Sequence, residues 1–416
     1  MKASLNSEDP IPLPSRLGRY QLIRSAGEDF RAYIPPPLPP DPTVRLDSML
    51  PLLERATRSL GRLDGMASIL PDTSHFIYMY IRKEALLSSQ IEGTQSSLSD
   101  LLLYETTRPG IPYGMPEDVA EVSCYVSAMN HGLERLRGGF PVSLRLFCEI
   151  HKVLLSRGRG QHQMPGEFRT SQNWVGGTRP GNAIFVPPPA DRLIEHLGNL
   201  EKFIHSPRPM MPALVRAALV HVQFESIHPF LDGNGRLGRL LITFLLCADR
   251  ILVEPTLYLS LYFKTNRSKY YDLLQRVRTH GDWETWVEFF LTGVEETSTQ
   301  AVSAARDILR LLEQDRSRVE KIGRPAASAL RLHRLLERHP LISISVAAAK
   351  LRLSIPTVAS AMEHLRKLRI VEETTGRQRD RLFGYARYLR ILEEGTEPMS
   401  FGPASRRQGA GGRTAS

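Results

Sequence analysis

The sequence predicts a mainly α-helical protein with a short β-hairpin and a small C-terminal domain of the winged-helix type. Apolar residues recur with a helical period over most of the stretch from residue 45 to residue 293. A Gly- and Pro-rich segment, residues 166–189, interrupts these helices, and residues 183–186 within it are typical of a short strand. Near the C-terminus, two short helical patterns precede residues 370–388, which alternate and turn as a β-wing does.

The order of these patterns divides the chain into five parts. They are an irregular Pro-rich arm (1–44), a helical domain (45–300, core about 142–293), a connecting helix or linker (301–323), a winged helix-turn-helix domain (324–394) and a disordered tail (395–416). Helices of the second part are expected at about 45–63, 74–92, 116–137, 142–157, 190–205, 212–226, 236–252, 268–279 and 282–293. IPPPLPPDP in the arm favours polyproline II, either as a stiff segment lying on the domain or as a ligand for an SH3-like partner.

Composition excludes several classes of protein. The chain has 416 residues, of which 42% are hydrophobic and 24% charged, as in ordinary soluble proteins. The apolar stretch near the central motif, residues 240–248, is far too short to cross a bilayer, and MKASLNSEDP lacks the apolar segment of a secretory signal. Cys124, Cys148 and Cys247 are too widely spaced to indicate a zinc site or a disulfide scaffold. We therefore expect a cytoplasmic protein without a membrane partner.

The net charge of +10 belongs to the C-terminal part of the chain. Residues 316–390 contain 17 Lys and Arg against 6 Asp and Glu, so the remainder of the chain is close to neutral. A nucleic-acid partner is therefore expected at this part and not at the helical domain.

The most informative stretch is HPFLDGNGRLGR, residues 228–239. It lies between two apolar helical patterns and is therefore expected to be a loop that leads into a helix N-terminus. Glycines there let an anion approach backbone N–H groups at the positive end of the helix dipole. Arg236 and Arg239 share one helix face and suit phosphate oxygens. Asp232 suits a Mg²⁺ ion that phosphates also bind, and His228 can accept a proton at neutral pH.

This stretch resembles, at every position, the Fic family signature His-Pro-Phe-x-Asp/Glu-Gly-Asn-Gly-Arg-x-x-Arg. Most Fic proteins share an all-α fold and transfer AMP from ATP to protein hydroxyl groups. The resemblance covers about residues 45–300 and implies a protein adenylyltransferase that uses ATP with Mg²⁺ or Mn²⁺. Phosphate-transferring relatives carry Lys at the position of Gly235, so glycine there favours nucleotidyl transfer.

The resemblance also implies roles for the residues of the motif. His228 would be the general base for a target Ser, Thr or Tyr hydroxyl, and Asp232 would hold the metal ion. The backbone amides of residues 233–235 and the Asn234 side chain would form an anion hole, and the two arginines would orient the β- and γ-phosphates. The residues expected to bind the nucleotide are Gly233, Asn234, Gly235, Arg236, Leu237, Gly238, Arg239 and Tyr271.

Two further stretches are similar to parts of Fic proteins. GGTRPGNAIFVPPP resembles the flap beside the active site, whose strand would hold a target segment by β-augmentation, and an ordinary surface hairpin is the alternative. LYLSLYFKTNRSKYYDLL resembles the helix beside the nucleotide, where Tyr271 would contact adenine unless it belongs to the core. The residues of the flap strand are Ala183, Ile184, Phe185 and Val186.

SSQIEGT, residues 88–94, is expected to end a helix, with Gly93 as its C-terminal cap. An acidic residue there is unfavourable because the helix C-terminus is already negative, so Glu92 needs a cationic partner. The stretch resembles the Ser/Thr-x-x-x-Glu-Gly/Asn inhibitory element of Fic proteins, matched by Ser88, Glu92 and Gly93. This resemblance implies that Glu92 pairs with Arg239 and obstructs the γ-phosphate, or activates water if the chain removes AMP from targets.

The basic C-terminal part is similar to the winged helix-turn-helix domain of many longer Fic proteins, with helices at 346–351 and 355–368. Such domains bind DNA, dock proteins or form dimers, and all three uses remain open. The outward-facing residues of the second helix would be Thr357, Ser360, His364 and Lys367, and the wing would carry Arg377, Arg379 and Arg381.

Two functional hypotheses follow. In the first, the chain is an autoinhibited adenylyltransferase that modifies an unidentified target protein and itself, with AMP removal as a reverse activity. In the second, it is a DNA-binding transcriptional regulator whose Fic domain senses a nucleotide. Incorporation of AMP that depends on His228 separates the two. The target protein, the modified residue and the oligomeric state, including a homodimer, are left open by the sequence.

Overall fold

The computed structural model describes residues 16–25, 27–69, 74–106, 118–206, 211–374 and 381–398. Within them the chain is mainly helical with two small β-sheets, which confirms the predicted mainly α class. The helices up to the long central one are α1 (Leu50–Ile69), α2 (Ser74–Ile91), α3 (Leu98–Thr106), α4 (Val119–Arg137), α5 (Leu144–Leu154), α6 (Leu193–His205), α7 (Ala213–Ile227), α8 (Asn234–Ala248), α9 (Ser260–Thr265) and α10 (Arg267–His280). They are followed by α11 (Trp283–Glu320), α12 (Ala326–Arg338), α13 (Ile344–Leu351), α14 (Ile355–Lys367) and α15 (Ala386–Glu393).

The helices α3, α12 and α15 are absent from the sequence-based prediction, and α9 lies within residues 257–274, which resembled a single helix. Helices α3 and α9 contain 9 and 6 residues, which is too short a stretch for a helical period to be recognised. Both lie at positions that matter for the site, because α3 follows residues 88–94 directly and α9 packs against α2.

The described part of the N-terminal arm is more regular than the sequence predicted. Its described part contains a hairpin of two antiparallel strands, β1 (Arg19–Ser25) and β2 (Glu28–Ile34). Phe30 and Ala32 are buried on one side of β2, and the Tyr33 N–H donates a 2.8 Å hydrogen bond to the Val186 carbonyl. The alternation of apolar and polar residues in β2 is a strand signal that the adjoining proline run conceals. Residues 1–15 of the arm lie outside the described ranges.

Helix α8 lies in the core of the helical domain. It packs against α7, α4 and α5, and residues 240–246 are all buried. This surrounds the helix with apolar neighbours, which is why its sequence is apolar nearly all round. Full burial of each Leu or Phe side chain contributes about 1.5–3 kcal/mol to the stability of the fold. The packed core therefore holds the start of α8 in place.

Helix α11 is continuous over 38 residues and packs against α1, α7, α12 and α15. The predicted boundary between the helical domain and a connecting helix, at residue 300, therefore falls inside one helix. Buried residues occur along most of its length, among them Trp286, Phe290 and Ile308. The packed face of the helix is therefore not interrupted at the predicted boundary. The helix ends at Glu320, just before Gly323.

The C-terminal part combines α12, α13 and α14 with a three-stranded sheet. The strands are β3 (Leu341–Ser343), β4 (Glu372–Glu373) and β5 (Leu382–Gly384), in the order β3-β5-β4 and antiparallel. The order along the chain is helix, strand, helix, helix, strand, strand, and then α15, which contains residues 386–388 of the predicted wing. Arg377 and Arg379 of the predicted wing lie outside the described residues, whereas Arg381 is described and exposed.

The predicted disordered tail begins too early at Gly395. Residues 395–398 are described, and Thr396 is only 3% exposed because it packs against the helical domain. The low complexity of this segment predicted disorder, but its backbone carbonyls accept hydrogen bonds from the buried side chains of Gln90 and Lys264. Residues 399–416 of the tail lie outside the described ranges.

None of the helices within the described ranges combines the length and the apolar character needed to cross a bilayer. Cys124, Cys148 and Cys247 carry free thiols.

Candidate active site

Residues 228–233 form the loop between α7 and α8. His228 caps α7 with a left-handed backbone (φ 50°, ψ 62°), and Gly233 precedes α8 with φ 78°. A left-handed conformation costs a residue with a Cβ about 1–2 kcal/mol, so His228 has to be held by its surroundings.

Asn234 holds the loop closed from within. The Phe230 N–H donates to Asn234 Oδ1 at 2.9 Å, and Asn234 Nδ2 donates to the Phe230 carbonyl at 2.8 Å. Both ends of the side-chain amide are thus engaged, and the residue is buried. In the unliganded chain the Asn234 side chain shapes the loop, and its predicted part in an anion hole stays a prediction.

Two residues that the sequence analysis missed hold the loop from outside. Arg169 Nε donates to the His228 carbonyl at 3.0 Å, and Asn173 Nδ2 donates to the carbonyls of His228 at 3.2 Å and Phe230 at 2.8 Å. Burial lowers the pKa of Arg169 to about 10, so it remains charged at neutral pH. These bonds compensate the left-handed backbone of His228. An arginine and an asparagine in a Gly- and Pro-rich loop carry no sequence signal of such a contact.

His151, also missed, supports the loop from α5. Its Nδ1 accepts a 2.8 Å hydrogen bond from the Gly166 N–H, so its other nitrogen, Nε2, carries the proton and donates to the Asp232 carbonyl at 2.9 Å. The ring stacks on Phe230 with centroids 3.8 Å apart. Burial lowers the pKa of His151 to about 4, which keeps the ring in this neutral form. His151 therefore holds the loop against α5 through its contacts with Asp232 and Phe230.

The His228 imidazole is neutral at physiological pH. Burial, together with the nearby guanidinium groups of Arg278 and Arg169, lowers its pKa to about 3. Its Nδ1 has no hydrogen-bond partner within the described part of the chain. A neutral imidazole with an unused nitrogen can accept a proton, which is what a general base must do.

The first turn of α8 provides free backbone donors, although not at all the predicted positions. The Gly233 N–H donates to Asp232 Oδ1 at 2.5 Å and is therefore not available to a ligand. The N–H groups of residues 234–236 have no intrahelical acceptor, because the first turn of a helix has none. Of the three backbone amides predicted to form the anion hole, that of Gly233 is thus engaged within the loop.

The two arginines extend this end of α8 with buried donors. Arg236 is 1% exposed, and its Nε and Nη2 have no hydrogen-bond partner among the described residues. Among the described residues, its acidic neighbours within 4 Å are Glu121 at 3.4 Å and Asp232 at 3.7 Å. Arg239 Nη1 is also buried without a hydrogen-bond partner. Buried N–H groups without acceptors are costly, so this arrangement suits an anion that supplies oxygens.

Leu237 and Gly238, predicted to bind the nucleotide, do not face a ligand with their side chains. Leu237 is 1% exposed in the core, and its N–H donates to the Gly233 carbonyl at 3.0 Å. A Cβ at Gly238 would lie 2.4 Å from Glu225 Oε1, so glycine is needed there for packing of α8 on α7. Their place in the motif is structural because they lie on the inner side of α8.

Asp232 is the acidic residue of the loop, and its carboxylate is 30% exposed. Nowhere in the described ranges do three His, Cys, Asp or Glu side chains gather as metal ligands. That is compatible with Mg²⁺, which is usually held by one or two carboxylates together with substrate phosphates. Asp232 is therefore the residue whose chemistry fits such an ion.

The structure brings the predicted inhibitory element to the second arginine. Arg239 Nη2 donates to Glu92 Oε1 at 2.7 Å and to the Ser88 carbonyl at 3.0 Å, and Nε donates to Ser88 Oγ at 2.8 Å. Burial opposes ionisation of Glu92, but the Arg239 guanidinium outweighs it and holds the pKa of the Glu92 carboxyl below its usual value. The pair is therefore ionised at neutral pH, and residues 147 positions apart in the chain meet.

Gly235 is required by this contact. A Cβ at position 235 would lie 2.4 Å from Glu92 Oε1 and 3.1 Å from Arg239 Nη1. Any larger side chain would push the carboxylate away from the guanidinium. The glycine thus serves the approach of Glu92, in addition to the turn and the anion site that the sequence indicated.

Tyr271 is partly exposed on α10 beside these charges. Arg267 lies over its ring, 5.0 Å from the centroid, and the ring of Tyr270 packs against it at 5.0 Å. Glu92 and Arg239 are close enough to act on its pKa electrostatically, after the larger effect of burial. Tyr270 is the core residue of this pair, since its hydroxyl lies 2.9 Å from His221 Nε2 in the interior. Tyr271 is thus placed near the pair, with contact to adenine still a prediction.

The predicted flap strand is reduced to a single bridge. Val175 pairs with Phe185, and the Tyr33 N–H of β2 occupies the Val186 carbonyl on the other side. Phe185 and Val186 are buried, whereas Ile184 is exposed. The predicted open edge for a target segment is therefore covered in part by the N-terminal hairpin. Prolines 187–189 remove the donors that a longer strand would need.

Taken with the helical core, this loop and helix define a protein of the Fic fold. The chain is similar to the solved structure of a Fic family protein from Desulfovibrio desulfuricans, with a TM-score of 0.51 at 20% sequence identity. The aligned part covers 80% of this chain and 96% of that protein's chain. At that identity the likeness concerns the fold.

Sequence matches identify two domains of the chain. Residues 50–134 match the Fic/DOC family N-terminal domain, and residues 141–246 match the Fic/DOC family domain. A relative named protein adenylyltransferase Fic, from Aedes aegypti, is 36% identical over 210 residues, which is 50% of this chain and 39% of the relative. One from Culex quinquefasciatus is 36% identical over 157 residues, 38% of this chain and 28% of the relative. The chain thus spans well under two thirds of either relative.

Proposed function

We propose that this chain is a protein adenylyltransferase that transfers AMP from ATP to a protein hydroxyl and is held inactive by Glu92. The observation that carries the proposal is the neutral His228 imidazole beside a helix N-terminus where buried guanidinium N–H groups have no acceptor. A polyphosphate supplies the oxygens that such donors need. The name of the relatives from Aedes and Culex supports the same activity.

The proposed reaction is a displacement at phosphorus. The hydroxyl oxygen of the target attacks the α-phosphorus, and its proton passes to the His228 imidazole. The bond between the α-phosphorus and the oxygen that bridges to the β-phosphorus breaks, and pyrophosphate leaves. A general base of this kind typically accounts for about 10²–10⁴ in rate. Arg236 and the amides of residues 234–236 hold the phosphates, which is mainly a positioning role.

A divalent ion fits the proposed reaction. Asp232, partly exposed at the rim of the anion site, would hold Mg²⁺ or Mn²⁺ together with the phosphates. When bound, the ion would reduce the negative charge that opposes attack on the phosphate chain.

Autoinhibition is the second part of the proposal. Arg239 Nη2 cannot donate to Glu92 at 2.7 Å and also face a γ-phosphate oxygen in the same position. While the pair is intact, ATP has to settle with its phosphates displaced, and the α-phosphorus is then badly aligned with the target hydroxyl. Misalignment of this kind lowers the rate by orders of magnitude.

Labelled ATP tests the reaction directly. The Glu92→Gly variant with Mg²⁺ is expected to become labelled from ATP carrying ³²P at the α-position and to stay unlabelled from ATP carrying it at the γ-position. Adding His228→Ala should abolish the label. Label from the γ-position would identify a phosphotransferase, and no label from either would overturn the proposal.

The reverse activity is part of the same proposal, with Glu92 activating a water for AMP removal. It predicts release of AMP from a labelled protein by the wild type and loss of that release in Glu92→Gly. Accumulated label that the wild type cannot remove would exclude this role for Glu92.

A second candidate function concerns the C-terminal part, which we propose binds duplex DNA. On α14 the side chains of Thr357, Ser360 and Lys367 are exposed, and His364 is partly exposed, so within the described ranges the predicted recognition face is accessible to solvent. Binding of the full chain to a mixed-sequence duplex should weaken steeply with salt and weaken further in Lys367→Ala. Absence of binding at low salt would favour a protein-docking role.

A further inference from the structure

A turn at the C-terminal end of α15 packs onto the helical domain. We call residues 393–397 the C-terminal strap. The N–H and the hydroxyl of Thr396 both donate to the Glu393 carbonyl at 2.8 Å, and Gly395 adopts φ +78° to make this turn. A Cβ at Gly395 would lie 2.7 Å from Leu261 of α9, so the turn is seated closely.

The strap is bonded to α2 at a residue between the two that contact Arg239. Gln90 Nε2 donates to the Thr396 carbonyl at 2.8 Å and to the Ser96 carbonyl at 3.1 Å, and Gln90 is fully buried. Ser88 and Glu92 flank it in sequence. One amide group thus connects the strap, the segment that follows Glu92 and the end of α2.

A second contact comes from α9. Lys264 Nζ donates to the carbonyls of Gly395 at 3.1 Å and Glu397 at 2.5 Å, and the residue is 8% exposed. Ser99 of α3 also donates to Glu393 Oε1 at 2.6 Å. The strap is therefore bonded to three helices of the helical domain, through α2, α3 and α9.

The strap and Arg239 hold opposite sides of the same helical turn. Successive residues of an α-helix are rotated by about 100°, so Gln90 points about 200° away from Ser88. Arg239 binds Ser88 and Glu92 on one side, and the strap binds Gln90 on the other. A shift of the end of α2 would carry Glu92 away from Arg239, and the bond between the strap and Gln90 opposes that shift.

We infer that the C-terminal strap is the second half of the autoinhibitory device, which holds the end of α2 so that Glu92 stays on Arg239. The inference rests on the proposed function, because it concerns how the active site is restrained. A movement of α15 would withdraw the strap from Gln90 and Lys264, so the C-terminal part of the chain can act on the active site through the strap. Gln90 is then a positioning residue that acts through Glu92.

Two truncations of the otherwise intact chain test this inference. One ends at Pro398 and keeps the strap, and the other ends at Glu394 and lacks its second half. Hydrogen exchange of residues 92–94 reports on the end of α2, because their N–H groups donate to the Ser89 and Gln90 carbonyls. Loss of a buried hydrogen bond shifts a local equilibrium by about fivefold, so the shorter chain should exchange there about fivefold faster and incorporate AMP about fivefold faster.

Substitutions in the full chain separate this effect from misfolding. Lys264→Met removes both strap bonds of α9 with little change in size and should reproduce the direction of the truncation. Lys269→Met, at an exposed lysine of α10, is the matched control and should change neither readout. Adding Lys264→Met to Glu92→Gly should give no further gain in AMP incorporation, because the brake is already absent.

The outcomes distinguish the two proposals. If Glu92→Gly incorporates no AMP, the proposed function fails, and the strap is judged by exchange alone. Unchanged exchange of residues 92–94 in both the shorter truncation and Lys264→Met would overturn the inference. So would an equal gain of activity from Lys264→Met with and without Glu92.

Discussion

Replacing Glu92 by glycine is the perturbation whose effect the structure specifies best. The substitution removes the carboxylate that lies 2.7 Å from Arg239 Nη2 and leaves both Ser88 bonds of the guanidinium in place. Breaking a buried ion pair costs about 3–5 kcal/mol, but Glu92 is 25% exposed and Arg239 keeps two partners, so about 2 kcal/mol is expected. Because Glu92 follows the last residue of α2, the glycine adds little helix penalty.

The free arginine should then be available to ATP. We expect AMP incorporation to rise at least about tenfold, which needs only about 1.4 kcal/mol of barrier. Without nucleotide, Tm should fall by about 2–4 °C, and saturating ATP with Mg²⁺ should restore more of it than in the wild type, because the nucleotide replaces the lost carboxylate.

The assay compares the initial rate of labelling from α-labelled ATP in the wild type, Glu92→Gly and Ser88→Ala. Ser88→Ala is the matched control, since it removes one bond of Arg239 and keeps the Glu92 pair; it should gain much less than Glu92→Gly. Equal labelling of the wild type and Glu92→Gly would refute autoinhibition by Glu92. An unchanged Tm in Glu92→Gly would refute the argument that Arg239 depends on the pair for its charge compensation.

Three further predictions follow from the site. Because the pKa of His228 is lowered to about 3, the labelling rate of Glu92→Gly should show no loss near pH 6.5 on acidification, and a fall with midpoint near 6.5 would contradict a buried neutral base. Asn234→Ala should lose about 1–3 kcal/mol of unfolding free energy in urea denaturation, because the Phe230 N–H and carbonyl lose their partners, and a stability equal to wild type would show that water replaces them. Burial raises the pKa of Glu225 to about 7, so the folded protein binds a proton there that the unfolded chain releases above about pH 4.5. The contribution of this proton to the free energy of unfolding is lost as pH rises through 7. Stability measured from pH 7 down to pH 5 should therefore decline more steeply in Glu225→Gln than in wild type, by up to about 1.4 kcal/mol per pH unit, and parallel curves would refute the protonated carboxyl.

The chemistry of the site could be predicted from the sequence because it is concentrated in twelve consecutive residues. His228, Asp232 and Arg236 lie within one loop and one helical turn, so spacing alone places them together. Asn234 shows the limit of that reasoning. An amide side chain can donate and accept, and only the fold shows that both functions are used by Phe230.

Contacts between distant segments could be predicted only through resemblance. Nothing in the local pattern of residues 88–94 identifies Arg239 as the partner of Glu92, since a cation anywhere on the surface would have served a helix C-terminus equally well. The supports of the loop, Arg169 and His151, were missed for the same reason. Their roles depend on which carbonyls the packed helices place beside them.

The sequence by itself determined the helical class and the position of the loop that leads into α8, because hydrophobic period and glycines act locally. The tertiary structure alone decided that β1 and β2 pair beside the flap and that residues 395–397 bind Gln90 and Lys264. The reason is the same in each case. A buried N–H or carbonyl must find a partner, and which partner it finds depends on segments that are far apart in the chain and close only after folding.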